Sequence, residues 1–139
     1  MGTIIRPEIS ERNKYWINKH RHYELKHFCL QYPMWKQLHA DCLELSVGAT
    51  KLRETPSVGL SADFTAKYAI KRTYYSERIK MVEKAALEAD RDLYAYILKA
   101  VTEGLSYTYL KTRLNMPCTR DMYYDRYRRF FWLLSNLKY

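Results

Sequence analysis

Apolar residues recur at intervals of three and four along most of the chain, which is the spacing of one face of an α-helix. The first stripe predicts a helix over residues 19–31, ended or kinked at Pro33, and a second short helix over residues 34 to about 45. Residues 1 to about 13 are polar and without period, so they indicate a loose arm. The N-terminal region is therefore expected to be helical.

The next stretch, residues 46–62, has few large apolar residues and holds Pro56 and two of the four glycines. This composition is typical of a linker. Asp63 can then cap a long helix over residues 64 to about 89, because its carboxylate accepts from the open amides of the first turn. The apolar face of this helix is predicted to carry Ala66, Ile70, Tyr74, Ile79, Val82 and Ala86.

Three shorter helices follow, separated by turn signals. Asp90 can cap the start of a new helix over residues 92–103, and Gly104 can end that helix in the left-handed conformation. Ser106 can cap the second helix.

The turn before the last helix has the residues of a sharp joint. Asn115 tolerates a left-handed backbone, Met116 can fill the joint, Pro117 resists continuing the helix and Thr119 can cap the next one. The predicted class is all-α. Residues 1–45 form a helical N-terminal region, 46–62 a linker, and 63–139 a long helix followed by a three-helix helix-turn-helix module.

The last helix has two chemically different sides when it is wound at 100° per residue. The side expected to face the core carries Tyr123, Tyr127, Phe130, Phe131, Leu134 and Leu137. The opposite side carries Asp121, Tyr124, Asp125, Arg128 and Trp132, with Arg120 at the start and Arg129 at the flank. A helix that exposes arginines, tyrosine and short acids has the donors and the size to read bases in the DNA major groove.

Basic charge is concentrated in the same module. The whole chain carries a net charge of +9, and residues 104–139 hold seven basic and two acidic residues, a net charge of +5. Such a concentration is typical of a surface that binds phosphates. We therefore expect two groups of contacts. The base-reading residues are Arg120, Asp121, Tyr124, Asp125 and Arg128. The phosphate-binding residues are Lys111, Arg113, Thr119 and Arg129.

The segment YILKAVTEGLSYTYLKTRLNMPCTRDMYYDRYRRFFWLL resembles the helix-turn-helix of sigma-factor region 4 and of late-gene transcription regulators encoded by prophages of Gram-positive bacteria. The stretches YWINKHRHYELKHFCLQYPMWK and YYSERIKMVEKAALEADRDLYAYILKAVTEGLSY are similar to a protein family found in prophages of gut Firmicutes. The resemblance implies a phage or prophage transcription regulator that binds double-stranded DNA.

Several other classes are disfavoured by the composition. An apolar fraction of 47% and an aromatic fraction of 15% exceed what a disordered chain carries. No apolar run reaches the length of a membrane span, and the charged N-terminus is unlike a signal peptide. Three scattered cysteines without a CxxC motif indicate reduced thiols. The protein is therefore expected to be cytoplasmic, within a bacterial host cell, and without a membrane partner.

The sequence contains no motif that would identify a catalytic or cofactor site. GxSxG, HExxH, P-loop and GxGxxG patterns are all missing, and no catalytic residue or cofactor is expected. Of the histidines and cysteines in residues 20–42, only His39 and Cys42 would share a helix face, which is fewer than the three or four ligands that zinc needs. No metal is therefore expected, and Cys29 is predicted to pack as a small apolar residue.

Two functional hypotheses remain open. The first is a DNA-binding regulator acting as a homodimer or in a larger complex, with an exposed Trp132 contributing to the interface. The second is a phage-encoded interaction factor that docks on RNA polymerase, a terminase or a host-defence nuclease such as a CRISPR enzyme. Its docking surface would be the aromatic helices of residues 15–35.

Overall fold

The computed structural model describes residues 11–52 and 62–138, which form six α-helices and no strand. The helices are α1 (Lys19–Leu30), α2 (Tyr32–Leu52), α3 (Ala62–Ala89), α4 (Tyr94–Glu103), α5 (Tyr107–Arg113) and α6 (Arg120–Leu137). The predicted all-α class is confirmed. The long helix and the three shorter helices after it lie in the predicted order.

The described residues fall into two compact units that do not follow the predicted domain boundaries. One unit combines residues 11–31 with residues 81–138, and the other contains residues 32–52 and 62–80. The sequence predicted an N-terminal region, a linker and a C-terminal domain as consecutive segments. The difference arises because α1 packs on α4 and α6, which lie near the opposite end of the chain.

α1 ends at Leu30, one residue before the predicted end at Gln31. Asn18 caps α1 by accepting from the His20 amide at 2.8 Å, and the helix ends before Gln31. Pro33 then lies in the first turn of α2, where a proline is tolerated because its missing N–H would have no helical partner there.

The predicted linker is partly helical. α2 continues to Leu52, so residues 46–52 belong to a helix, while residues 53–61 lie outside the described part of the chain. Gly48 weakens a helix by only about 1 kcal/mol, which the neighbouring helical residues can offset. The first strong helix breaker in this region is Pro56, which lies beyond the end of α2.

Two predictions for the long helix are corrected. Asp63 lies inside α3 rather than before it, because the helix starts at Ala62. The predicted apolar face is buried only in its second half, at Ile79, Val82 and Ala86, whereas Ile70 is 70% exposed and Tyr74 is 48% exposed. The spacing identified the face correctly, but spacing alone does not show how far along a helix the covering elements extend.

The core of the unit that contains both ends of the chain is built mainly on α1, α4 and α6. Its largest fully enclosed side chains are Tyr123, Phe130, Phe131, Leu25, Ile97, Leu110, Met116 and Leu134. Four of these lie on the side of α6 predicted to face inward, so that prediction is confirmed for Tyr123, Phe130, Phe131 and Leu134, whereas Leu137 is half-buried. Cys29 is fully buried, as predicted, and all three cysteines are free thiols.

Candidate nucleic-acid interface

The turns that position α5 and α6 follow the predicted chemistry. α4 starts at Tyr94, two residues later than predicted, and the Asp90 carboxylate instead accepts from the amides of Asp92 and Leu93 in the turn before it. Gly104 ends α4 with a left-handed φ of 69°, as predicted. The Ser106 hydroxyl caps α5 by accepting from the Tyr109 amide at 3.2 Å. Local polar groups therefore fix the start of the module.

The joint between α5 and α6 is equally well defined. Asn115 has a φ of 53°, Met116 is 1% exposed inside the joint, and the Thr119 hydroxyl accepts from the Met122 amide at 3.3 Å. Because Thr119 is the N-cap of α6, its hydroxyl stabilises the helix. The phosphate contact predicted for Thr119 would have to share that oxygen.

The first turn of α6 is the open part of the helix. Arg120, Asp121 and Met122 are exposed, and so is Arg113 at the end of α5. The Arg120 guanidinium donates to the Tyr124 hydroxyl at 3.5 Å and lies 5.9 Å from the centre of the Tyr107 ring. The first contact joins two of the predicted base-reading residues, Arg120 and Tyr124, and a third, Asp121, follows Arg120 in the same turn.

Lys111 has a role that the sequence did not predict. Its ammonium donates at 3.2 Å to the carbonyl oxygens of both Met116 and Cys118. The predicted phosphate-binding lysine therefore ties α5 to the turn before α6, and its side chain is still exposed enough to approach a polyanion.

The middle of α6 is engaged in ion pairs within the molecule. Arg126 donates to Asp90 at 3.0 Å and to Asp125 at 2.9 Å. Asp125, predicted to read bases, is thus half-buried beside a guanidinium. Asp90 was predicted only as a cap, and its second partner lies 36 residues away, beyond the reach of local sequence patterns.

The second half of α6 is less open than predicted. Arg128, Arg129 and Trp132 are all half-buried, and the Nε atoms of the two arginines are enclosed without a hydrogen-bond partner among the described residues. The Tyr15 ring lies 5.7 Å from the Trp132 ring, and its hydroxyl accepts from Arg129 at 3.5 Å. Trp132 is therefore less exposed than predicted, and its contribution to an oligomer interface stays a prediction. The N-terminal segment covers that part of the helix.

An aromatic cluster supports the open end from inside. The Tyr107 and Tyr123 rings lie 5.6 Å apart, and Tyr123 lies 5.5 Å from Tyr124. Burial is the main cause that raises the pKa of Tyr123 above its ordinary value, and nearby tyrosines add to it. Tyr123 is buried and Tyr124 is half-buried, so this pair places one ring in the core and the next at the surface.

No group of three or more histidine, cysteine, aspartate or glutamate side chains within the described residues is arranged to hold a metal ion. In the same ranges, no helix combines the length and apolar character that a membrane span requires.

No family model, curated protein or solved structure matches the chain. The resemblance to sigma-factor region 4 and to prophage regulators therefore stays a prediction.

Proposed function

We propose that this chain is a sequence-specific regulator of phage or prophage transcription that binds double-stranded DNA through α5 and α6. The observation that carries the proposal is the contrast along α6. Its first turn is exposed and carries Arg120 and Asp121, while Phe130 and Leu134 anchor its other end in the core. In helix-turn-helix proteins, the N-terminal residues of the second helix contact the base edges.

The base-reading set is narrower in this proposal than in the sequence prediction. Arg120 can bind guanine through two hydrogen bonds, and Asp121 can accept from the cytosine amino group. Tyr124 holds the Arg120 guanidinium. Arg128 is left out of this set because it is half-buried and its Nε is enclosed.

Phosphate binding is assigned to Arg113, with Lys111 as a secondary contact. Arg113 is exposed at the C-terminal end of α5, next to the joint. Phosphate contacts fix the register of a protein on the duplex but carry no sequence information, whereas base contacts do. The two kinds of contact therefore predict different mutational effects.

The test is DNA binding measured by fluorescence anisotropy, with duplexes selected from a random pool. Arg120→Ala should weaken binding to the selected site by about 1–3 kcal/mol and relax preference at one base pair. Arg113→Ala should weaken all sequences alike and reduce the salt slope by about one. Arg91→Ala, which removes another exposed arginine of the same unit, is the matched control and should change little.

Two results would contradict the proposal. One is the absence of any complex at low salt, and the other is an equal loss for Arg91→Ala and Arg120→Ala. Retention of a host protein after nuclease treatment of a pull-down would instead support the interaction-factor hypothesis. In its predicted docking surface Tyr15, Phe28, Tyr32 and Trp35 are buried, whereas Trp16, Tyr23 and Met34 are exposed and would have to make the contact.

A further inference from the structure

A cleft of about 200 Å³ opens between α1, the turn from α4 to α5, and α6. It lies wholly within the unit that contains both ends of the chain. Most of its polar lining is aromatic or basic, and comes from Tyr23, Lys26, Tyr107, Tyr123, Tyr124 and Tyr127. The DNA-binding proposal uses only the outer edge of this cleft, at Tyr107 and Tyr124.

The volume of the cleft restricts what it can hold. A protein cavity of about 150 Å³ lined by apolar side chains is large enough for benzene. A cleft of about 200 Å³ therefore fits one six-membered ring with a small substituent. The rings around it favour an aromatic occupant, since tilted and offset aromatic pairs are attractive at centroid separations of about 4.5–7 Å.

The charges of the side chains around the cleft indicate which substituent the aromatic ring of an occupant would carry. Lys26 is the only cationic residue that lines the cleft, and no aspartate or glutamate lines it. Lys26 is half-buried and forms no ion pair with the part of the chain that the structure describes. The nearby Glu24 is instead bonded to Arg21 and Lys138. An anionic group in the cleft would therefore meet an ammonium that has no competing carboxylate.

The remaining polar groups of the cleft are neutral. Burial, with a smaller effect from the Lys26 charge, lowers the pKa of His22 to about 4, so this imidazole is uncharged at neutral pH. The hydroxyls of Tyr123 and Tyr127 form no hydrogen bond with residues 11–52 or 62–138, whereas the Tyr107 hydroxyl donates to the Cys118 carbonyl at 3.4 Å. Two phenol groups can therefore donate to an occupant.

We propose that this cleft is a binding site for a single-ring aromatic carboxylate. The ring packs against the side chains of Tyr123 and Tyr127, and the carboxylate lies at the Lys26 ammonium. The ligand is recognised by three properties together, which are the size of one ring, a planar apolar body and one negative charge.

The cleft also offers a route from the ligand to the DNA-binding residues. Tyr107 and Tyr124 line it, and the same two rings lie 5.9 and 5.5 Å from the Arg120 guanidinium. A ligand packed against these two rings changes the positions that the Arg120 side chain can occupy. This regulatory consequence rests on the proposed function, whereas the binding site itself does not.

The binding site is tested by titrating the full chain with benzoate while recording amide and tyrosine NMR spectra. Residues lining the cleft should shift in a saturable manner, and benzamide, which has the same shape without the charge, should bind at least about tenfold more weakly. Lys26→Gln should weaken benzoate about tenfold or more, because a hydrogen bond to a charged partner is lost. Lys99→Gln removes an exposed lysine of α4 outside the cleft and should leave the affinity unchanged.

The proposal is overturned if benzoate and benzamide bind equally, if Lys26→Gln and Lys99→Gln behave alike, or if the shifted resonances lie outside the cleft. Both variants should keep the thermal unfolding midpoint of the parent chain, which separates loss of binding from loss of fold.

The coupling is tested in the same titration by the side-chain Nε resonance of Arg120, which should move with the same affinity as the cleft resonances. Benzoate should also change the apparent DNA affinity at least about threefold, and Lys26→Gln should abolish that change. Saturable benzoate binding with no DNA complex would uphold the cleft site and contradict the proposed function. An Arg120 resonance that stays fixed at saturating benzoate would overturn the coupling.

Discussion

His22 lies at the centre of the aromatic packing between α1 and α6. It is 7% exposed, and its ring lies 4.7 Å from the Phe131 ring and 6.4 Å from the Tyr127 ring. A buried imidazole resists protonation because the charged form loses its hydration, and the Lys26 charge adds to this. The native state therefore keeps His22 neutral at a pH where an unfolded chain would protonate it.

The pH dependence of stability follows from this difference. The pKa of His22 is about 4 in the folded state, against 6.5 for an unperturbed histidine. Between these values the unfolded state binds more protons, so stability is fully present above pH 6.5 and falls as the pH drops toward 4. From pH 7.5 to pH 5, this one group should lower the free energy of unfolding by about 2 kcal/mol.

The measurement is urea denaturation at both pH values for the parent chain, His22→Gln and His27→Gln. His22→Gln should remove about 2 kcal/mol of the difference between the two pH values, whatever its effect on stability at pH 7.5. His27→Gln changes an exposed histidine of the same helix and should keep the difference. Identical pH profiles for all three chains would show that His22 is protonated equally well in both states.

At the scale of single residues, the predictions that succeed are those with short-range causes. Ser106 and Thr119 cap helices through amides three residues away, and Asn115 adopts the left-handed backbone that its side chain tolerates. The sequence did not reveal the partners of Asp90 and Arg129, because they lie 36 and 114 residues away.

The joint between α5 and α6 depends on one long side chain. The Lys111 ammonium donates to the Met116 and Cys118 carbonyls, which also accept from the Cys118 amide and the Tyr107 hydroxyl respectively. Lys111→Met keeps most of the apolar stem and removes both donors, so it should lower the free energy of unfolding by about 1 kcal/mol. Thermal and urea denaturation measure this loss.

Arg113→Met is the matched control for Lys111→Met, because Arg113 is an exposed basic residue of the same helix. It should leave stability nearly unchanged while weakening DNA binding. Equal stabilities for the two variants would mean that solvent replaces the Lys111 contacts without loss.

At the scale of helices, periodicity predicts the buried side of a helix better than its outer side. The inner face of α6 follows from the 3.6-residue repeat, because Tyr123, Phe130, Phe131 and Leu134 all return to the core. The outer face is less open than predicted at Arg128 and Trp132, which are half-buried. Residues that are polar or amphipathic can be exposed or covered, and here Tyr15 covers Trp132. The candidate interface is thus predictable at the start of α6 but not beyond it.

At the scale of the whole molecule, the division into units could not be predicted from composition. A stretch poor in apolar residues suggested a domain boundary at residues 46–62, yet residues 11–31 group with residues 81–138. A stretch with few large apolar residues shows only that its own side chains add little to a core. The grouping of helices depends instead on which apolar faces fit together. That fit is a property of distant segments and leaves no local pattern.

Arg21 connects the two ends of this unit directly. Its guanidinium donates to the Ser135 hydroxyl and to the Ser135 and Lys138 carbonyls at the C-terminal end of α6. A cation at that end also interacts favourably with the helix dipole. Arg21→Ala should therefore weaken α1 and α6 together and lower the free energy of unfolding by about 1–2 kcal/mol.

Native-state hydrogen exchange shows whether Arg21→Ala destabilises α1 and α6 together or only one of them. In Arg21→Ala, the slowest amides of α1 and α6 should lose the same amount of protection, because both helices open in one cooperative step. Lys19→Ala removes an exposed cation from the first turn of α1 and should leave the α6 amides unchanged. Faster exchange confined to α1 in Arg21→Ala would show that the two ends of the chain open independently. The covering of α6 by the N-terminal segment would then be a separate, weaker contact.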